Sequence, residues 1–220
     1  MRRLSVLSAL LLIACVGSAQ IKFGAGPQLG MSFSSAPKPL DKVYGFGFGF
    51  GAHGDVMFNK YFTARLSFDY HMFSADDAEL ASFVKSNFTD QNGQPLENVA
   101  VSGGGAGMIG IMASGIGKLP LGGSVTPYAT VGLGYGSVST SDLKITVAGG
   151  GGTVPIDSQS GFSLLFGAGT EFAVSKTVTI YGEIKYVLIF TGEETNPQNG
   201  QKTGGTSSHL PIMFGMTYWF

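Results

Sequence analysis

The chain has 220 residues, of which 12% are charged; its formal net charge is -1, and it has one cysteine, Cys15. Ordinary globular domains carry about a quarter charged residues, and a chain this close to neutrality offers no basic surface to a nucleic acid. A single thiol excludes both a disulfide scaffold and a cysteine-built metal site.

Residues 1–19 read as a removable leader. Met1-Arg2-Arg3 is followed by an apolar run from Leu4 to Val16 and by the small residues Gly17-Ser18-Ala19 ahead of Gln20. The run is too short to cross a bilayer as a helix, and losing Arg2 and Arg3 lowers the formal charge from -1 to -3. Leu12-Ile13-Ala14-Cys15 also resembles a lipobox, which would make Cys15 a lipid-modified terminus. A strand pattern beginning at Ile21 leaves little tether and favours cleavage after Ala19. Residues 20–220 then form one domain. No later window holds about 18 consecutive apolar residues. Low charge without spanning helices points to a membrane-embedded sheet, because only helices and closed barrels satisfy their backbone groups in lipid.

The first predicted strand, Ile21–Phe33, alternates Ile21, Phe23, Ala25, Pro27, Leu29, Met31 and Phe33 against small or polar residues, with a bulge or a lost ladder bond expected at Pro27. A loop with Pro37 and Pro39 leads to the second strand, Tyr44–Phe58, where Tyr44, Phe46, Phe48 and Phe50 face one way and Gly45, Gly47, Gly49 and Gly51 the other. The Gly-Phe repeat precedes no helix and has no lysine at Walker spacing, so it is strand rather than phosphate loop. Asn59-Lys60 is a tight turn into the third strand, Phe62–Met72. In the long connection Ser74–Asn98, Ser74 and Asp77 suggest a capping box, and Leu80, Phe83, Val84 and Phe88 have helical spacing.

A fourth strand is expected over Val99–Ala113, with Val99, Val101, Ile109, Ile111 and Ala113 in phase, and Ser114–Ser124 as its connection. The fifth runs from Val125 to Tyr135. Leu143, Ile145 and Val147 continue its phase, and after Gly149–Gly152 the pattern returns at Val154 and Ile156, which predicts a hairpin projecting above the membrane. The sixth and seventh strands, Phe162–Val174 and Val178–Phe190, meet at Ser175-Lys176-Thr177. Thr191–Ser208 reads as a polar loop. In the eighth strand Leu210, Ile212, Phe214, Met216, Tyr218 and Phe220 share one face. Connections after odd strands are long and those after the second and sixth short, the asymmetry of outer-membrane barrels. Outward aromatics also sort into two belts, with Phe23, Phe58, Phe62, Phe172, Tyr218 and Phe220 low and Phe33, Tyr44, Tyr70, Tyr135, Phe162, Tyr186 and Phe190 high.

These features resemble the eight-stranded outer-membrane proteins of Gram-negative bacteria, the group of the OmpA transmembrane domain, OmpX and OmpW. The resemblance implies an all-β, antiparallel up-and-down barrel with short periplasmic turns, located in the cell outer membrane, surrounded by its lipid and expected to be a monomer. It also implies that Phe214, Tyr218 and Phe220 are read by the barrel assembly machinery. No peptidoglycan-binding domain follows in these residues, so cell-wall anchoring is not implied.

The charged strand residues Lys22, Asp55, Arg65, Asp69, Glu171, Glu183 and Lys185 all fall on the inward phase. An Arg or Lys on the lipid face at mid-bilayer would cost roughly 2–4 kcal/mol. Across the tight turn Asp55 can face Arg65, while Glu183 and Lys185 are expected to meet Glu171. The expected result is a polar plug, with a narrow small-solute or ion channel as the alternative.

Ser67, Asp69 and His71 share a strand face, but positions two apart lie about 6.6 Å apart, and with His71 last they cannot form a triad. His53, His71 and His209 have no ligand spacing, and no cofactor or metal is expected. The expected role is therefore non-enzymatic, structural or surface-interacting. Its candidate contact with an extracellular protein partner is the hairpin carrying Leu143, Ile145, Val147, Val154 and Ile156, whose strand edges are open to an added strand.

Overall fold

The computed structural model describes residues 21–36, 43–87, 99–147, 150–155, 158–195 and 202–220. The predicted leader, Cys15, Phe88 and Ile156 lie outside them. The strands are β1 (Lys22–Ala36), β2 (Gly47–Asn59), β3 (Phe62–Phe73), β4 (Ala100–Gly103), β5 (Ala106–Lys118), β6 (Val125–Thr140), β7 (Leu143–Val147), β8 (Gly150–Val154), β9 (Gln159–Ala173), β10 (Val178–Thr195) and β11 (Lys202–Trp219); helix α1 spans Asp77–Asn87. Eight of these strands close a barrel in the order β1, β2, β3, β5, β6, β9, β10, β11 and back to β1, all neighbours antiparallel. A separate sheet, β4-β7-β8, belongs to the long connections on one end.

Closure sets the two faces. Outward residues are exposed, with Phe48 at 58%, Phe68 at 46% and Leu133 at 57%, whereas inward Arg65 is 8% and Glu183 3% exposed. A soluble barrel would invert that pattern. The exterior is instead a band of large apolar side chains of the kind that meets hydrocarbon. Barrel strands of 12–18 residues exceed the roughly 9–11 needed to span a bilayer, so the longer ones project above it.

Glycine is required both where strands approach closely and where the backbone turns left-handed. A Cβ at Gly26 would overlap the Met216 carbonyl oxygen, so only glycine lets β1 dock on β11 there. Gly103 and Gly104 have φ of +93° and +70°, a left-handed turn that L residues disfavour. This turn separates β4 from β5, and it overturns the single fourth strand expected from Val99 to Ala113. Val99 and Val101 are consequently buried beside α1, not in lipid.

Other boundaries differ for identifiable reasons. The β5–β6 connection is Leu119–Ser124, shorter than expected, because β5 continues to Lys118 and pairs it with Tyr128. The stretch from Thr191 is no loop throughout: Thr191 pairs with Gly205 and Thr195 with Lys202 after a register shift. Of the two outcomes expected at Pro27, the lost ladder pairing occurs and the bulge does not. The β2 register is continuous, while pairing with β11 passes from Ala25 directly to Gln28, as a residue without an N–H requires. Tyr44 is half-buried under the extracellular cluster and does not join the upper aromatic belt. The helix cap is Asp76 rather than Ser74: its Oδ1 accepts from the Ala78 and Glu79 amides at 2.9 and 3.2 Å.

Candidate functional site

Two places bring chemistry-bearing residues together: the lumen and the extracellular sheet. Within the lumen, the tight β2–β3 turn fixes the register that sets Asp55 opposite Arg65. Asn59 makes that turn, its Oδ1 accepting from the Tyr61 and Phe62 amides at 2.8 and 2.9 Å. The guanidinium then donates from Nε and Nη2 to the two Asp55 oxygens, both at 2.8 Å, a bidentate geometry that fixes both groups. Its plane also lies over the Tyr181 ring at 4.6 Å.

Asp69 lies higher on β3. It accepts from Gln28 Nε2 of β1 and, at 3.2 Å, from Ser67. Lys185 stands 3.1 Å from Glu183 and 3.9 Å from Asp69. Tyr181 donates to Gln28 Oε1 at 2.7 Å, and His53 Nε2 lies 2.9 Å from Thr217 Oγ1. Lys185 and Asp69 thereby link β10 to β3 across the barrel, while Gln28 reaches Asp69 over Gly51, Tyr181 reaches Gln28 over Gly215, and His53 reaches Thr217 over β1.

Glu171 does not meet Glu183 or Lys185 as expected, because the β9–β10 register places Gly169 and Gly167 opposite those two residues. It pairs with Lys118 at 2.8 Å instead. Lys118 falls within the predicted connection Ser114–Ser124, but it ends β5 on the inward phase and is buried. With Trp219, whose Nε1 donates to Thr179 at 3.0 Å, it closes the periplasmic end. Lys22, predicted to be part of the network, is exposed at that rim, and no ion pair to it occurs among the described residues.

The lumen also holds apolar side chains that alternation alone does not flag. Phe73, Met108, Met112, Leu165, Val187 and Ile189 form one buried cluster beside and above the ion pairs, toward the extracellular end. His71 and His209, far apart in sequence, have ring centroids 4.9 Å apart, and His71 Nδ1 is 2.6 Å from Ser32 Oγ. Among the described residues no group of three His, Cys, Asp or Glu side chains is placed to hold a metal ion. Ser67 bonds to Asp69 but His71 bonds to Ser32 instead of either, so the three side chains form no relay.

The extracellular sheet corrects the hairpin expectation. β4 pairs with one edge of β7 and β8 with the other, from Leu143↔Val154 to Val147↔Gly150, so β7 has no free edge. Leu143, Ile145 and Val147 turn onto Leu80 and Val84 of α1 and the buried Val43, Val99 and Val101. Val154 remains exposed, as does every residue of β8. At the other end of the chain, Phe214, Tyr218 and Phe220 are exposed on the outer wall, at 55%, 46% and 78%.

A family model for the "Outer membrane protein beta-barrel domain" matches residues 6–209. Similar solved structures are Neisserial surface protein A (15% identity, 90% of this chain and 97% of that chain, TM-score 0.52) and a major outer membrane protein from Thermus thermophilus (14%, 91% and 99%, 0.50). A third is the outer membrane protein AlkL determined in lipid bilayers (10%, 93% and 92%, 0.50). At these identities the likeness concerns the fold. No curated protein matches the chain in sequence.

Proposed function

Because the chain belongs to the outer membrane protein beta-barrel domain family, and is therefore an outer-membrane protein, we propose that its role is a non-enzymatic one performed at the cell surface, through strand addition to β8 by an extracellular protein. The observation that carries this reading is the edge itself. β8 is fully exposed, Gly150-Gly151-Gly152 puts no side chain in the way of an incoming backbone, and β4, β7 and α1 hold the edge on a packed base.

A channel role is disfavoured because the apolar cluster and the cross-barrel bonds fill the lumen with side chains. Catalysis is disfavoured because the polar groups are tied to one another and form no relay. The same reading retains Phe214, Tyr218 and Phe220 as the segment recognised by the assembly machinery, since all three are outward and accessible.

The test is selection of displayed random peptides on the nanodisc-embedded protein. Extended sequences should be enriched, and proline at Gly151 or Gly152 should abolish their binding while heat-modifiable gel migration persists. If the selected peptides bind both proline variants as well as the native protein, the edge is not the contact.

A further inference from the structure

The outer wall changes character near its extracellular rim. In the outward phase, β6 runs through Val131, Leu133 and Tyr135 and then continues as Ser137 and Ser139, with Ser141 just beyond; β5 has Ile111 and Ile109 and then Gly107. The ladders set Ser139 beside Gly107 and Ser137 beside Ser160 of β9. A notch of about 360 Å³ opens here, lined by Tyr70, Gly107, Ser139 and Ser141 and by Gly105, Ala106 and Thr140.

Gly107 keeps the notch open: a Cβ there would stand 3.1 Å from the Tyr70 hydroxyl and 3.2 Å from Ser139 Oγ. Ser139 and Ser141 donate to the Gly107 and Gly105 carbonyls at 3.4 and 3.2 Å, so their oxygen lone pairs remain available. Tyr70 is braced by Phe50, ring centroids 5.4 Å apart. Beside the notch, the Tyr135 hydroxyl and Ser160 Oγ lie 2.6 Å apart. Among the described residues no Lys, Arg, Asp or Glu lines it.

We infer that this notch holds the sugar headgroup of an uncharged glycolipid in the surrounding outer leaflet. Hydroxyls both donate and accept, as sugar hydroxyls do. A phosphate headgroup would call for the cationic partner that this lining lacks. A lipid-borne sugar is favoured over a free one because the exposed apolar Ile109, Ile111, Leu133 and Tyr135 continue directly below the hydroxyls, where acyl chains would lie. The step from Ile109 to Gly107 is about 6.6 Å, so the hydroxyls follow the last outward apolar residue of β5 by one pleat repeat. This inference rests on the orientation of the barrel wall and is independent of β8.

The experiment uses the full chain in phosphatidylcholine nanodiscs, with monoglucosyl diacylglycerol titrated in and the Gly107 and Ser139 amides followed by NMR. Saturable shifts are expected. Gly107→Leu, whose added Cβ meets side-chain atoms of Tyr70 and Ser139 and no backbone, should weaken them about tenfold, and Tyr70→Phe should weaken them by a smaller factor. Heat-modifiable migration verifies the folding of both variants. Absence of shifts, equal shifts with phosphatidylglycerol, equal affinity for free methyl glucoside, or an unchanged titration in Gly107→Leu would each overturn the assignment.

Discussion

Arg65 and Asp55 show how a charge survives inside a membrane protein. Both are buried, each holds the other at 2.8 Å in two places, and Tyr181 covers the guanidinium. A buried pair of this kind contributes little net stability compared with apolar residues of equal volume, but removing one partner strands the other. Arg65→Ala should therefore destabilise the folded barrel by about 3–5 kcal/mol in urea titrations, whereas the joint change Arg65→Met with Asp55→Leu should cost much less. On the opposite face, Leu66→Lys places a cation against hydrocarbon and should cost about 2–4 kcal/mol in the same assay. Sequence periodicity suffices to assign these faces, and the short turn at Asn59 suffices to pair Asp55 with Arg65. The Lys185, Asp69 and Gln28 contacts are different. The Lys185–Asp69 contact spans the axis from β10 to β3, so it depends on how far the closing strands are staggered, a quantity that no local pattern carries; Gln28 reaches Asp69 across β2 at Gly51, where the two ladder registers decide. The pairing of Lys118 with Glu171 passes over one strand, β6, and depends on the β5–β6 and β6–β9 registers.

At the scale of elements, period-two alternation identifies all eight barrel strands, yet the same phase is also kept by apolar residues at two places where the chain has left the barrel. Val99 and Val101 keep the phase of Ile109 and Ile111, and Leu143 to Val147 keep that of Tyr135. Only the left-handed turn at Gly103 and Gly104 and the pairing of β4 with β7 reveal that these segments form a second small core with α1. That core is held partly by the Asp76 cap. Asp76→Ala should lose about 1 kcal/mol locally, visible as roughly fivefold faster hydrogen exchange of the α1 amides, with barrel amides unaffected. The β1–β11 closure responds differently. Gly26→Val drives a side chain into the Met216 carbonyl, and should abolish heat-modifiable migration, since strands that cannot close leave unpaired backbone in lipid.

The whole molecule separates two roles by height. Strands within the bilayer present apolar groups outward and fill their own axis with ion pairs, hydroxyls and the Met108–Ile189 cluster. On the proposed reading, surface contact falls to the segments above, where β8 has one edge unpaired among the described residues and the wall turns from Ile109 to the hydroxyls around Gly107. Such a division means that surface contacts should change without altering the barrel, and that the barrel itself should pass nothing. Current across planar bilayers containing the purified full-length protein tests that directly. The trace should stay at the baseline of the bare membrane at every applied voltage; reproducible unitary steps would contradict a filled lumen and move the protein's role from its surface to its axis.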